Sequence, residues 1–393
     1  MNEYITKICE TGNIAVDDTI LVKGVPATAG SKMLDGFKPL FSAEAVTRLE
    51  TAGYTVAGKT ATGEFGLDLV GEFSYYAPQE GTLKGAAAEL VAKGDVKAAL
   101  GVDMNGATRR AAALSGVSFL KPTYGTVSRY GVISCAASGE QLGVYAKNTN
   151  GISEIMSVIA GHDDKDGTSL PAEKYDYAVS DVNGKKVCIV KELLDKADDA
   201  AKAKVLAVAE ALKADGVTVE TISLDVFDLA NTAWQILMCA ETCNNVSRYD
   251  GVKYGHRAAK YRNIDELYVN SRTEGFNFLT KTVILYGSDV LSKNRYKDCY
   301  DKSLRVRRVV AEGMAKLFES FDAVLAPACS AASYEAYDIN DAFGKVFEES
   351  VFTSVANLIG TPALVTSGVQ LMGKHFAEST LLSLADAVER MGE

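Results

Sequence analysis

The chain has 393 residues, 47% of them hydrophobic and 23% charged, the make-up of a soluble globular protein with a sizeable core. Its net charge of −10 argues against a protein that holds nucleic acid directly, because phosphate binding needs a basic face. No apolar run approaches the ~18 residues that span a membrane, and the opening MNEYITKICETGNI lacks a charged-then-apolar signal pattern, so a cytoplasmic protein is expected.

Residues 42–52 (SAEAVTRLETA) place apolar side chains at helical spacing behind a serine suited to cap the start, and Gly53 ends the helix. Residues 54–57 predict a short buried strand. Residues 80–94 predict an alanine-rich helix closed by Gly94, and 96–102 a strand entering the loop that holds Ala107. Residues 152–160 are helical and lead into the polar loop GHDDKDGTS at 161–169. The segment 183–193 is a turn and a strand. Residues 200–215 are good helix formers, with Asp198 or Asp199 as the cap and Gly216 as the stop, and 217–222 is the next strand. This β-α-β order predicts parallel pairing through a right-handed crossover. From 229 to 319 the pattern is almost wholly helical. FDAVLA at 321–326 is a buried strand ended by Pro327. Residues 352–360 and 379–391 are helices, with a short strand at 369–372 between them. No repeat, low-complexity tract or linker divides the chain. The expectation is an α/β fold: a single large domain over 1–393, with a mixed, mostly parallel sheet flanked by helices on both faces.

Cys9, Cys135, Cys188, Cys239, Cys243, Cys299 and Cys329 are odd in number and include no CxxC pair, so neither a disulfide framework nor a zinc site is expected. His162, His256 and His375 are too scattered for metal-ligand spacing. No metal or cofactor is expected. The basic run Arg305, Arg307 and Arg308 lies in helical context and reads as a solvated face.

Nine blocks, in order, resemble one family: SKMLDGF (31–37), AGYTVAGKT (52–60), GEF (63–65), LKPTYGTVSRYGVI (120–133), IAGHDDKD (159–166), SRYDGVKYG (247–255), SRTEGF (271–276), VANLIGTPAL (355–364) and GVQLMGKHF (368–376). The resemblance is to the amidase-signature family, and within it to the A-subunit branch of the glutamyl-tRNA(Gln)/aspartyl-tRNA(Asn) amidotransferases. It runs from about residue 14 to the C-terminus. It implies acyl transfer from an amide: a serine attacks, a second serine held by a cis peptide bond relays the proton, and a neutral buried lysine takes it. Backbone N–H groups in the turn before the nucleophile hold the oxyanion.

This chain departs at all three positions. The family's nucleophile stretch resembles Asp-Thr-Gly-Gly-Ser; here it is Asp103, Met104, Asn105, Gly106 and Ala107, with Arg109 two residues on. A methyl group cannot attack a carbonyl. The relay position, in the run GTLKGAA at 81–87, is Leu83. The base position, in AVDDT at 15–19, is Asp17. The chain begins close to that position, so the resemblance also implies that the family's N-terminal helical segment is missing. Residues 362–373 (PALVTSGVQLMG) pass directly between two blocks where family members usually carry a longer loop.

The expected function is therefore that of a catalytically inactive amidase-like protein acting as a binding, structural or regulatory component. It would work as a homo-oligomer or as a heteromer with amidotransferase-type subunits. The alternative is an amidohydrolase or glutamine amidotransferase subunit with repurposed residues. Asp17, Asp18, Glu64 and Asp103 would be its acid/base set, Lys84 a displaced base, or Cys135 or Cys329 a new nucleophile. Asp103, Asn105, Gly106 and Arg109 form the candidate pocket, since an N–H turn at a helix start favours anions. The plain alternative pairs Arg109 with an internal carboxylate. Tyr249, Asp250, Tyr254 and Arg257 resemble a helical region that lines the family's pocket, and Arg307 resembles the end of a helix beside it.

Overall fold

Strands in this chain alternate between two apolar faces, as a sheet covered on both sides requires. The computed structural model describes residues 3–172 and 175–391. Its strands are β1 (Tyr4–Lys7), β2 (Ile14–Asp17), β3 (Val56–Thr60), β4 (Ala98–Asp103), β5 (Ser118–Lys121), β6 (Gln141–Ala146), β7 (Lys186–Val190), β8 (Thr218–Ile222), β9 (Ala323–Pro327), β10 (Ala363–Thr366) and β11 (Val369–Gly373). They form one sheet in the order β1-β3-β2-β4-β6-β5-β10-β11-β9-β7-β8. The helices are α1 (Glu44–Thr51), α2 (Ala86–Lys93), α3 (Ala107–Ser115), α4 (Thr149–Ile159), α5 (Lys191–Asp195), α6 (Asp199–Ala214), α7 (Val226–Val246), α8 (Ile264–Gly275), α9 (Phe278–Val290), α10 (Lys302–Leu317), α11 (Ala342–Glu349), α12 (Ser354–Ile359) and α13 (Glu378–Met391).

Ile14, Val16, Leu100, Ile189 and Leu325 face a core shared with α1, α4, α6 and α13. The intervening residues face the other way. Ala15 and Ala99 pack under α2 and α3, while Cys188 and Val324 pack under α7, α9, α10 and α12. The α/β class and the two helical layers are as the sequence implies.

The sense of the sheet is a correction. Six of the ten strand pairings are antiparallel, so the sheet is not mostly parallel. Two connections explain this. Between β5 and β6 the chain forms turns and bends, with no crossover helix to bring the next strand in parallel. Between β10 and β11 only Ser367 and Gly368 turn the chain, both with positive φ (48° and 76°), and Thr366 pairs Val369. That is the geometry of a tight two-residue hairpin. The predicted β-α-β unit holds: β7 and β8 flank α6 and pair in parallel.

Local signals were mixed. Asp198 caps α6, its Oδ1 accepting from Ala201 N at 2.7 Å. Ser42 does not cap α1: the cap residue is Ala43, and Ser42 Oγ instead accepts from Lys23 N at 3.1 Å. The helix predicted over 80–94 begins only at Ala86, because Thr82 bridges Glu335 in extended conformation.

Candidate functional site

β2 and β4 are parallel neighbours, so their carboxyl ends lie on one edge of the sheet. Asp17 ends β2 and Asp103 ends β4. In open α/β sheets, ligands gather at such edges. The turn after Asp103 passes through Gly106, in left-handed conformation (φ 85°), into α3, which starts at Ala107. A Cβ on Gly106 would sit 2.4 Å from the Thr353 side chain, so glycine is required there by both conformation and space.

Asp17, Leu83 and Ala107, the three positions singled out in the sequence, have different surroundings. Asp17 Oδ1 accepts from Thr19 N at 2.8 Å and from Thr19 Oγ1 at 2.7 Å. Burial holds its carboxyl above the usual range. Leu83 is 1% exposed and packs in an apolar cluster with Val70, Leu90, Ala111 and Val346. Its backbone N–H donates to Tyr334 O at 2.8 Å. Ala107 is half-buried at the first turn of α3.

Asp103, Asn105, Gly106 and Arg109 are all buried. Arg109 spends its whole guanidinium internally. Nε and Nη2 reach the two Asp103 carboxylate oxygens at 3.0 and 2.9 Å. Nη1 donates to Thr353 O and Gln370 Oε1, and Nη2 also to Asn357 Oδ1. Asp103 further accepts from Thr108 Oγ1 at 2.6 Å and Asn357 Nδ2 at 2.7 Å. Burial opposes ionisation of Asp103, but Arg109 and these hydrogen bonds outweigh it and hold the carboxyl well below its usual range. Arg109 thus has the internal carboxylate that the plain alternative requires. Asn105 Oδ1 accepts from Gln235 Nε2 at 3.2 Å.

The residues of the alternative acid/base set each have separate partners. Asp18 lies 3.5 Å from Lys59 Nζ and accepts from Thr28. Glu64 takes Ser31 Oγ at 2.5 Å on one oxygen, and Asn277 N and Thr280 Oγ1 on the other. Burial pushes its carboxyl up to about 7. Lys84 faces Glu89 at 3.4 Å on the surface. Burial raises the Cys135 thiol well above its ordinary value and pushes Cys329 up to about 12, which leaves little thiolate for attack.

A cavity of about 620 Å³ is lined by Met33, Phe37, Ile133, Arg248, Tyr249 and Tyr254, among others. The block holding Tyr249 and Tyr254 is not helical as expected; it follows α7 as a series of turns and bends. Arg307 is half-buried on α10 and donates to Ser138 O at 3.3 Å. Arg305 and Arg308 are exposed and pair with Asp301 and Glu312 on their own helical face. Four further cavities measure about 200 to 550 Å³. None of these five is lined by Asp17, Leu83, Asp103, Asn105, Gly106, Ala107 or Arg109. Among the described residues, no group of His, Cys, Asp and Glu is placed to hold a metal ion, and no helix is long and apolar enough to cross a membrane.

Four residues of this region were not singled out in the sequence. Lys59 is fully buried beside Asp17 and donates to Asp18 O and Ile20 O. Burial lowers its pKa, against the pull of Asp18 and Asp17. Lys121 is buried at the end of β5, where burial and Arg109 bring its pKa down to about 7. Asn357 and Gln370 complete the Arg109 cage. The available signal was a polar residue inside an otherwise apolar element: VAGKT, SFLK, SVANLI and VQLMG.

The profile of the Amidase family matches residues 13–382. The A-subunit of glutamyl-tRNA(Gln) amidotransferase from Lachnoclostridium phytofermentans is 36% identical, covering 96% of this chain and 82% of the relative. Its namesake from Lysinibacillus sphaericus is 35% identical over 97% of this chain and 82% of its own length. Among solved structures, the protein of the same name from Thermotoga maritima superposes with a TM-score of 0.81 at 24% identity, covering 99% of this chain and 87% of that one.

Proposed function

The chain belongs to the amidase family, and from that premise we propose that it no longer cleaves amides and serves as a binding, structural or regulatory component. One observation carries this proposal. The positions assigned to nucleophile, relay and base hold Ala107, Leu83 and Asp17, and the side chains around them are committed elsewhere. Catalysis of this class needs three groups in one hydrogen-bonded chain. A methyl, an isobutyl and a carboxylate bonded to Thr19 do not make one. The replacement chemistries find no support in the geometry, since Asp18, Glu64 and Asp103 are each bound to different partners.

The relatives' names describe one component of an amidotransferase, which favours a heteromeric role. We place such an assembly in the cytoplasm, in keeping with the lack of an apolar helix long enough to cross a membrane among the described residues. The net charge of −10 leaves any nucleic-acid contact to a partner.

The test is ammonia release from glutamine, asparagine and simple amides by the pure protein, against a mock preparation from the same host. No release above the mock is expected. Release above it that scales with protein would overturn the proposal. Native mass spectrometry of the complex purified from its own cells tests the second part: copurified amidotransferase-type subunits are expected, and a chain found only alone would remove the heteromer.

A further inference from the structure

The cavity of about 620 Å³ at Met33 and Tyr249 has the size of a small-molecule site. Its wall is mainly apolar, with Leu21, Met33, Phe37 and Ile133 among its members. Arg248 is the only basic residue on the wall and Asp35 the only acidic one. The nucleophile, relay and base positions do not line it.

Two donors reach this space without a protein acceptor. Tyr249 is 7% exposed, and its hydroxyl makes no hydrogen bond among the described residues. The phenols of Tyr175 and Tyr177 also lack partners, but they are sealed from solvent. The Tyr249 hydroxyl is not sealed in this way, so its remaining surface opens into the cavity that the residue lines. Burial pushes this phenol up to about 12, so it stays protonated and remains a donor at neutral pH. The second donor is Arg248. Its Nε and Nη2 turn back to Asn245 O and Oδ1 at 2.7 and 3.1 Å, and Nη1 has no partner among the described residues. Both of those acceptors are neutral, so they leave the guanidinium charge unmatched. Arg248 also lies near enough to the Tyr249 phenol for its charge to counter the effect of burial there.

The phenol is held in place. Its ring stacks on Phe65 at 5.6 Å and 14°, and meets Tyr254 edge-on at 6.2 Å. Phe65 does this from a left-handed conformation (φ 55°), which bulky residues avoid. Strain of that kind persists where the surroundings over-determine it, and it gathers at ligand sites. A guanidinium N–H and a phenol O–H, both without acceptors, together suit an oxyanion. Asp35 on the same wall repels a second negative charge, which favours a monoanion over a phosphate dianion. The apolar remainder of the wall suits a carbon body. We propose that this cavity binds a small organic carboxylate, with its oxygens on Arg248 Nη1 and the Tyr249 hydroxyl and its apolar body against Met33, Phe37 and Ile133. The proposal rests on this cavity alone and stands whether or not the chain cleaves amides.

Calorimetric titration at pH 7 with phenylacetate tests it, with phenethyl alcohol and phenethylamine as neutral and cationic probes of similar shape. Saturable one-to-one binding of phenylacetate is expected, with the alcohol weaker by about tenfold and the amine no tighter than the alcohol. No saturable binding of phenylacetate, or an alcohol or amine that binds as well, would overturn the proposal. Location is tested with two single variants. Tyr249→Phe removes the hydroxyl and keeps the stacked ring, and Arg248→Gln removes the charge at an exposed position. Each should weaken phenylacetate by about tenfold. Each should also leave the melting temperature in place, since the hydroxyl has no internal partner to lose and Arg248 bonds only to neighbouring Asn245. Unchanged phenylacetate binding in either variant would place the acid elsewhere. A lowered melting temperature for Tyr249→Phe would mean that the hydroxyl is already bonded within the protein. Either result refutes the site.

Discussion

Asp103→Asn is the sharpest perturbation of the β4–α3 turn. The side chain keeps its shape and loses its charge. Arg109 is then a fully buried guanidinium with five donors and no anionic partner. Its remaining acceptors, Thr353 O, Gln370 and Asn357, are neutral, and the new amide N–H₂ must point at donors. Removing one partner of a buried ion pair costs about 3–5 kcal/mol. An unfolding entropy of about 2.1 cal/mol/K per residue, over a chain of this length, amounts to roughly 0.8 kcal/mol/K. A loss of about 4 kcal/mol then lowers the melting temperature by about 5 °C. The double variant Asp103→Leu/Arg109→Met should recover part of that loss, because no charge is left stranded. Asp103 has its pKa held down in the folded state, so its contribution is present above the ordinary carboxylate range and fades as pH falls below about 4. The wild type should show that acid limb and Asp103→Asn should lack it. Differential scanning calorimetry from pH 3 to 8 measures both. A cost under about 1 kcal/mol for Asp103→Asn would mean that Arg109 is not held by this pair, and that the guanidinium is free for another partner.

Glu64 gives the opposite pH dependence. Its folded pKa is raised by burial to about 7, so the folded chain holds a proton that the unfolded chain has released, and stability falls as pH rises from about 5 to 7. The loss is roughly 3 kcal/mol, and Glu64→Gln should flatten it in the same calorimetric series; an unchanged slope would exclude Glu64 as its source. Gly106→Ala places a Cβ 2.4 Å from Thr353 at a φ of 85°, and should destabilise by about 2–4 kcal/mol in urea unfolding, with a cost under about 1 kcal/mol counting against the close packing of the turn. Cys9 has its thiol pKa lowered by hydrogen bonds to Thr11, while Cys135, Cys239 and Cys329 are buried with raised values. Mass spectrometry should find iodoacetamide on Cys9 well before those three, and equal labelling of Cys329 would contradict its burial.

The sequence carried the elements whose cause is local. Asp198 and Gly216 bound α6 because a cap and a left-handed stop act within a turn of their own residues. The β7-α6-β8 unit followed from spacing alone. The sense of the sheet did not, since β5 lies between β6 and β10, and no pattern within SFLK states its neighbours. The same limit applies at the turn. Asp103 and Arg109, six apart, are readable as a pair. Thr353, Asn357 and Gln370, which finish the cage, lie more than 240 residues away in sequence. Leu83 is singled out in the sequence only through the resemblance, and its burial in one cluster with Tyr334 and Val346 is a tertiary fact that no local pattern states.

The place of the β10–β11 hairpin bears on how the chain can be made. Strands β1 to β6 form one flank of the sheet and β7 to β9 the other, and the hairpin is inserted between them, pairing β5 on one side and β9 on the other. Its two strands are also the last of the sheet in chain order. During synthesis, each flank therefore waits with an unpaired edge, β5 or β9, exposed to other chains. The sheet becomes continuous only after residue 373 has emerged, and the interval before it is when the nascent protein depends most on chaperones.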